Sequence, residues 1–195
     1  VVRIIAGEFR SRKLQTVRDD ESTRPFLSRV KESVFSMLHE WFLEARVLDL
    51  FAGVGTVGLE AVSRGATSVL MVENSHRTYR VLQKNIETLG CADRAKAMLG
   101  DALGRTCLLR APQPVDLVFM DPPYTMMEDS RQRQLVLDQA GRCRQIMAGK
   151  GFVVLRSPLG PDDADLAITG LDGPEPHRYR KDMWVLLYEP SGVGP

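Results

Sequence analysis

Apolar and polar positions along this chain follow two successive rhythms, and the change from one to the other sets the architecture. Residues 2–6 and 9–17 flank Gly7-Glu8 and read as a β-hairpin with basic side chains on its outward face. Asp19-Asp20-Glu21 and Ser22-Thr23 form a loop. Pro25 then leads into a helix over residues 28–43, where Ser28 can cap and Val30, Val34, Phe35, Leu38 and Phe42 make an apolar stripe. From Arg46 onward, short apolar runs alternate with amphipathic stretches. A first strand begins at Val47, and others cover 68–72, 95–99, 115–120, 151–155 and 183–188. Helices cover 56–64 and 77–89, and a long one holds Leu135, Val136, Ile146 and Met147. Residues 158–176 are rich in Gly, Pro and Asp and read as loop, with a short strand at most over 166–169. Such alternation predicts a parallel sheet covered on both faces. The division expected is a hairpin–helix extension over residues 1–45 and an α/β domain over 46–190.

Length agrees with this: 195 residues with 44% hydrophobic content suit one well-buried domain with a small appendage. The formal net charge is only +1, but its distribution is uneven. Residues 1–18 carry Arg3, Arg10, Arg12, Lys13 and Arg18 against the single acid Glu8, and Arg24, Arg29 and Lys31 precede Glu32. A locally basic front of this kind suits a phosphate-contact surface, although a solvated hairpin face accounts for it equally well. Cys91, Cys107 and Cys143 lie far apart without a CxxC or Cys/His grouping, so they read as reduced thiols in a cytoplasmic protein without a zinc site. No signal-peptide pattern opens the chain, and no apolar run approaches a membrane span. His39, His76 and His177 stand alone as surface or packing histidines.

The informative stretch is residues 47–60, Val-Leu-Asp-Leu-Phe-Ala-Gly-Val-Gly-Thr-Val-Gly-Leu-Glu. A strand, a glycine turn and a helix make a βα unit that can bring backbone close to a ligand, and Gly53, Gly55 and Gly58 fit the dinucleotide fingerprint. Asp49 decides the ligand. A carboxylate beside the turn repels a pyrophosphate and suits a ligand bearing positive charge. S-adenosylmethionine carries an ammonium and a sulfonium. The plain alternative is a tight turn that packs helix on sheet, with Asp49 as a helix cap.

Four successive strands finish near a carboxylate: Asp49, Glu73, Asp101 and Asp121. Ligands of open α/β sheets bind across those ends. Glu73 follows Gly55 near the spacing of about 20 residues at which an acid meets a ribose, and Asp101 is placed for the exocyclic amine of adenine. Asp121-Pro122-Pro123-Tyr124 is the most specific short motif. A planar exocyclic amine is a poor nucleophile because its lone pair is delocalised into the ring. Two acceptors on its N–H groups help it pyramidalise towards a methyl donor. The Asp121 carboxylate and the Pro122 carbonyl are such acceptors, neither proline donates a competing N–H, and Tyr124 offers a face for a flipped or single-stranded base. A strand-ending Pro-Pro turn with a packed tyrosine is the alternative.

Phe51-Ala-Gly-Val-Gly together with Asp121-Pro-Pro-Tyr resembles the class I S-adenosylmethionine-dependent methyltransferases that modify planar amino groups. The front of the chain narrows this: Arg3-Ile-Ile-Ala-Gly-Glu-Phe-Arg-Ser-Arg-Lys-Leu, Thr23-Arg-Pro and Arg29-Val-Lys-Glu-Ser-Val-Phe-Ser-Met-Leu are similar to the RsmD family of bacterial small-subunit ribosomal RNA guanine-N2 methyltransferases. The similarity runs over residues 3–155. It implies a Rossmann-like seven-stranded class I sheet with an N-terminal β-hairpin and helix, and methyl transfer from S-adenosylmethionine to guanine N2 in 16S ribosomal RNA, leaving S-adenosylhomocysteine. The cofactor set expected is Asp49, Phe51, Gly53, Gly55, Glu73, Asn74, Asp101, Ala102 and Asp121; the catalytic set is Asp121, Pro122, Pro123 and Tyr124. RNA contacts are expected from Arg10, Arg12, Lys13, Arg24 and Arg29. No metal is implied, because the sulfonium methyl is already electrophilic. The partner is small-subunit ribosomal RNA, free or in a partly assembled subunit, and the protein is expected to act as a monomer. Ser11 departs from the family's glycine, Phe26-Leu27 replaces small polar residues, and residues 170–184 lack the usual Tyr-Gly pairing. Rival readings are adenine-N6 methylation of DNA, which a chain without a sizeable target-recognition domain disfavours; a non-catalytic RNA-binding or assembly factor; and a dehydrogenase.

Overall fold

The computed structural model describes residues 2–17 and 28–192. Arg24, the Ser28 cap and the Phe26-Leu27 departure fall outside the described residues and side chains. The front segment pairs only β1 (Val2–Arg3) with β2 (Lys13–Leu14), a shorter hairpin than the apolar pattern predicts. The reason is that residues 5–9 bond elsewhere. The Ile5 and Ala6 amides donate to the Glu60 carboxylate, the Phe9 amide donates to Ser63 Oγ, and the Glu8 amide donates to the Ser63 carbonyl. Gly7 lies against that carbonyl so closely that a Cβ would stand 1.8 Å from it.

Helix α1 (Ser28–Met37) is followed by a 3₁₀ turn, His39–Trp41, so the expected helix over 28–43 ends early where the chain bends back. The stripe Val30, Val34, Phe35, Leu38 and Phe42 is buried as its spacing requires. There follow β3 (Arg46–Leu50), α2 (Gly58–Ser63), β4 (Ser68–Glu73), α3 (His76–Leu89), β5 (Ala95–Leu99), α4 (Arg105–Arg110), β6 (Val115–Met120), α5 (Tyr124–Glu128), α6 (Ser130–Cys143), β7 (Met147–Ser157), β8 (Leu171–Arg180) and β9 (Met183–Pro190). Caps mark the two long helices: Ser75 Oγ accepts from the Thr78 amide, Asp129 Oδ1 accepts from Gln132, and Gly90 closes α3 at φ +70°.

The sheet runs β5-β4-β3-β6-β7-β9-β8, with β3 to β7 parallel and β9 antiparallel between β7 and β8. Three expectations need correction. The long helix after β6 is two helices, and it stops at Cys143; Ile146 lies in the connection, and Met147 already pairs with Val115 in the sheet. Residues 171–176, expected as loop, belong to an edge strand that runs on to Arg180. Pro174 and Pro176 are tolerated there because an edge needs donors on one side only, and the ladder shifts register between Asp172 and Glu175. No strand forms over 166–169; the Leu166 carbonyl accepts instead from the buried Tyr188 hydroxyl.

Both faces of the sheet are buried. One side packs α1, α2 and α3 against Val47, Phe119 and Val185, with Ile4, Phe9 and Leu14 of the front segment in the same cluster. Phe35 stacks on Phe42 at 4.7 Å and on Phe119 at 5.7 Å, which fastens α1 to the strand that leads into Asp121. The other side packs α4 and α6 on Leu48, Leu50, Val118 and Met120. Cys91, Cys107 and Cys143 are buried and free, and burial pushes each thiol up, Cys143 to about 12, so none is a ready nucleophile. Among the described residues no helix is long and apolar enough to cross a membrane.

Candidate active site

Because β3, β4, β5, β6 and β7 are parallel, their C-terminal ends share one edge of the sheet. The chain builds outward from β3 to β4 and β5, then returns to lay β6 on the other side of β3. The switch point therefore falls between Leu50 and Met120, and ligands of such sheets bind there. The Asp121 amide reaches the Leu50 carbonyl at 3.4 Å across it.

All four of the expected acids stand at this edge. Asp49 is buried, and its Oδ2 accepts from the Gly58 amide at 2.9 Å in the first turn of α2. Burial, with the Asp121 and Glu73 charges adding to it against the Gly58 bond, raises its pKa to about 8. Glu73 ends β4 and braces the loop: it accepts from Gly53 at 3.0 Å and from Ser75 at 2.7 Å. Asn74 lies between, exposed. Asp101 follows Gly100, whose amide donates to the Glu73 carbonyl, so it too stands at this edge; its own Oδ1 caps the turn through Leu103. Ala102 is buried, and its carbonyl accepts from Gln139.

The glycines separate by cause. A Cβ on Gly55 would come within 2.5 Å of Leu82, and one on Gly58 within 2.5 Å of Met71 and 3.1 Å of Asp49, so these two are explained by packing. Gly53 has φ +57° and nothing within 4 Å of its Cβ position. Next to it, Phe51 holds φ 65°, a left-handed conformation rarely adopted by a side chain of that size.

Asp121 stands at the end of β6 with its side chain one-fifth exposed, Pro122 is buried, and Pro123 opens α5 at Tyr124. A residue that the sequence reading missed completes this group. Arg156, buried on β7, bonds through Nε to Asp121 Oδ1, and its guanidinium carbon lies 5.0 Å from the centre of the Tyr124 ring. Burial raises Asp121 to about 6, and Arg156 opposes that rise. Register sets its place: Met120 pairs with Leu155 in the parallel ladder, and the next residue on each strand, Asp121 and Arg156, lie side by side.

The basic residues do not all gather here. Arg29 opens α1, whose first turns lie at the site edge, since Lys31 Nζ donates to the Thr56 carbonyl in the loop above β3. The turn bearing Arg10 docks on Ser63, the last residue of α2, and Arg12 donates to the Thr88 carbonyl near the end of α3. Both helices run back from the site edge, so Arg10 and Arg12 stand at the opposite edge of the sheet. Lys13 is exposed on β2 beside them. Also unforeseen was Glu60, buried on α2, which gathers Lys31 at 3.4 Å and Arg64 at 3.0 Å beside the Ile5 and Ala6 amides. Its role is to fasten the front segment and α1 to the sheet.

The sheet order, the acidic strand ends and the Asp-Pro-Pro-Tyr motif at the switch point define a class I methyltransferase fold. The family model described as Conserved hypothetical protein 95 matches residues 2–158, and the chain belongs to that family. Ribosomal RNA small subunit methyltransferase D of Haemophilus influenzae is 39% identical over 126 residues, which are 63% of this chain and 64% of the relative. The Escherichia coli protein of the same name is 38% identical over 123 residues, 63% of this chain and 60% of the relative. The chain thus spans less than two-thirds of the length of these two relatives. The solved structure of yhhF from Escherichia coli superposes with a TM-score of 0.75 at 27% identity, covering 97% of each chain. These findings bear out the resemblance read over residues 3–155.

Proposed function

We propose that this chain transfers a methyl group from S-adenosylmethionine to the exocyclic N2 of a guanine in small-subunit ribosomal RNA. The observation that carries the reading is Asp121-Pro122-Pro123-Tyr124 at the switch point of a sheet whose family relatives are named as ribosomal RNA methyltransferases. The residues present fit the cofactor. Gly53 leaves the space a ligand needs for close approach, its amide bonds the Glu73 carboxylate, and Asp49 and Asp121 end the neighbouring strands, an acidic setting that suits an ammonium and a sulfonium. When bound, the cofactor supplies an electrophilic methyl.

The chain supplies position and charge. Asp49, Phe51, Gly53 and Gly55 form the loop for the methionine end; Glu73 and Asn74 serve the ribose hydroxyls, and Asp101 and Ala102 serve the adenine. Asp121 accepts one amine N–H through its anionic carboxylate and the Pro122 carbonyl accepts another, which turns the nitrogen lone pair out of conjugation. Holding amine and methyl in line supplies much of the acceleration. Tyr124, with the Arg156 guanidinium over its ring, gives the flat surface on which the base rests. The proton on nitrogen is lost after transfer, when the amine has become acidic. RNA contact comes from the basic front and from Arg29; the near-neutral net charge favours a partly assembled cytoplasmic subunit, where proteins help present the base, acted on by a monomer.

The test is methyl transfer from labelled S-adenosylmethionine to small subunits, protein-free ribosomal RNA and duplex DNA, all from cells lacking the enzyme, followed by nucleoside analysis. N2-methylguanosine in ribosomal RNA is expected. N6-methyladenine in DNA would overturn the substrate and keep the Asp121 chemistry.

A further inference from the structure

The edge that carries Asp121 also carries a basic projection to which the sequence reading assigned no element. Strand β9 starts where β7 ends: Ser157 pairs with Trp184, and Arg180 pairs with Met183 beyond it. The β8–β9 tip therefore projects past β7 on the same side as Asp121, Arg156 and Tyr124. Arg180 and Lys181 are exposed there. Arg178 lies over the Trp184 ring at 5.1 Å and donates to the Arg180 and Lys181 carbonyls, so it braces the tip and adds its charge. Trp184 is itself fixed from below, since a Cβ on Gly160 would stand 2.5 Å from the indole.

Two further observations give this tip a direction. Charge is segregated along the hairpin: Arg178, Arg180 and Lys181 sit at the site edge against Asp182 alone, whereas Asp172, Glu175 and Glu189 line a cleft at the far end. A polyanion crossing the edge is attracted to one end of the hairpin and repelled by the other. The tip is also tied to α1, because the Tyr179 hydroxyl is 2.8 Å from Ser33 Oγ. Arg29 is one helical turn before Ser33, on the same face of α1, which brings its charge alongside the tip.

We propose that Arg178, Arg180 and Lys181 of the β8–β9 tip, with Arg29 of α1, hold the phosphate backbone of a single-stranded RNA segment that presents its base to Asp121. This rests on the reading of Asp121 as the acceptor for a nucleobase amine. The strand is single because an exocyclic amine inside a duplex cannot reach the Asp121 carboxylate without leaving its stack. Arg10 and Arg12, at the other edge, are too remote to hold that segment.

The experiment compares two doubly substituted proteins of equal charge change. Arg180→Gln with Lys181→Gln alters the tip; Lys96→Gln with Lys150→Gln alters exposed lysines on β5 and at the start of β7, away from the site edge. Affinity for a short single-stranded RNA of mixed sequence is measured across salt concentration, with S-adenosylhomocysteine binding and thermal melting as checks on the fold. Loss of two phosphate contacts makes the slope of log affinity against log salt shallower by about 1.4 for the tip variant and leaves the control slope as in wild type. A wild-type slope in the tip variant, or an equal loss in the control, would overturn the proposal. The wild-type protein's methyl transfer is read separately: a protein that methylates RNA but binds it with no help from the tip loses only this inference, while one whose tip sets the slope but which does not bind S-adenosylhomocysteine loses only the functional reading.

Discussion

Arg156 and Asp121 are lateral neighbours at the ends of two parallel strands, joined by a charged hydrogen bond from Nε to Oδ1 in a largely buried setting. Burial favours the neutral acid and the guanidinium favours the anion, and the balance leaves the pKa at about 6. An acceptor for an amine N–H must be ionised. Arg156 is thus a positioning residue that keeps Asp121 in its working form near neutral pH and, from the same guanidinium, holds the Tyr124 ring.

The rate of methyl transfer should therefore rise with pH and level off above about 6, falling about tenfold per unit well below that value. Arg156→Met removes the group that opposes burial, so the inflection moves to higher pH. Arg156→Lys restores it in part, since a point charge replaces a planar one. A pH–rate profile of the three proteins, with S-adenosylhomocysteine affinity as the fold control, reads this directly. An unmoved inflection in Arg156→Met would show that the pair is structural only.

Asp121→Asn keeps the shape of the side chain and discards its charge. The neutral amide oxygen that remains accepts more weakly and no longer balances positive charge on the nitrogen, and losing one preorganised electrostatic partner in a water-poor site costs about 10² to 10³ in kcat. Bound S-adenosylhomocysteine and bound RNA should be retained, because the loss falls on the reacting amine. If this variant loses RNA binding and cofactor binding alike, the motif holds the fold and not the reaction.

Much of this was legible beforehand, and the parts that were not have physical reasons. Parallel strands buried on both faces announce themselves as apolar runs, and glycine turns and terminal acids mark their ends, so the order of Asp49, Glu73, Asp101 and Asp121 could be read directly. Edge strand β8 could not, because Gly173, Pro174 and Pro176 carry the composition of a loop, which only the edge of a sheet accommodates. The short hairpin was over-read because Ile5 and Ala6 give their amides to Glu60, a tertiary bond with no local signature. Arg156 was hidden for the same reason: its meaning depends on register with β6, and a single charge at the end of a strand has many ordinary explanations.

Ser11 holds a backbone conformation that favours glycine. It adopts φ 66° in the turn, where an L side chain carries roughly 1–2 kcal/mol of strain. Ser11→Gly relieves that and gives back about 0.5–1 kcal/mol through the freer unfolded chain. A net gain of about 0.5–1 kcal/mol in denaturant unfolding is expected, with methyl transfer unchanged, since the turn lies at the edge remote from Asp121. A loss of stability would mean that the hydroxyl has an unrecognised role.

Asp49 ties stability to pH. In the folded protein it holds its proton until about pH 8, whereas in the unfolded chain it ionises near the ordinary carboxyl value of 3.8. Between these values the native state binds one proton more than the unfolded state, so stability falls as pH rises, by about 1.4 kcal/mol per unit per proton at most. Asp121 contributes the same sign only up to about 6. Urea midpoints between about pH 6 and 8 therefore isolate Asp49. Asp49→Asn keeps an acceptor for the Gly58 amide and should flatten the slope in that window. Equal slopes in the two proteins would place the titration elsewhere.

The three glycines of the loop offer the sharpest separation of packing from binding. Gly55→Ala must fit a Cβ 2.5 Å from Leu82 at φ +89°, and Gly58→Ala one 2.5 Å from Met71. Overpacking of this kind costs about 1–3 kcal/mol, less where a flexible methionine gives way, and Gly55→Ala adds backbone strain to it. Gly53→Ala meets no atom within 4 Å, so only the strain of φ +57° remains, about 1–2 kcal/mol. Its methyl instead projects into the space reserved here for S-adenosylmethionine. Calorimetric titration with S-adenosylhomocysteine, set beside unfolding curves, should rank Gly55→Ala as the least stable variant and Gly53→Ala as the weakest binder relative to its stability. If Gly53→Ala binds as wild type does, that open space is not where the cofactor approaches, and the site must be moved along the strand ends towards Asp101.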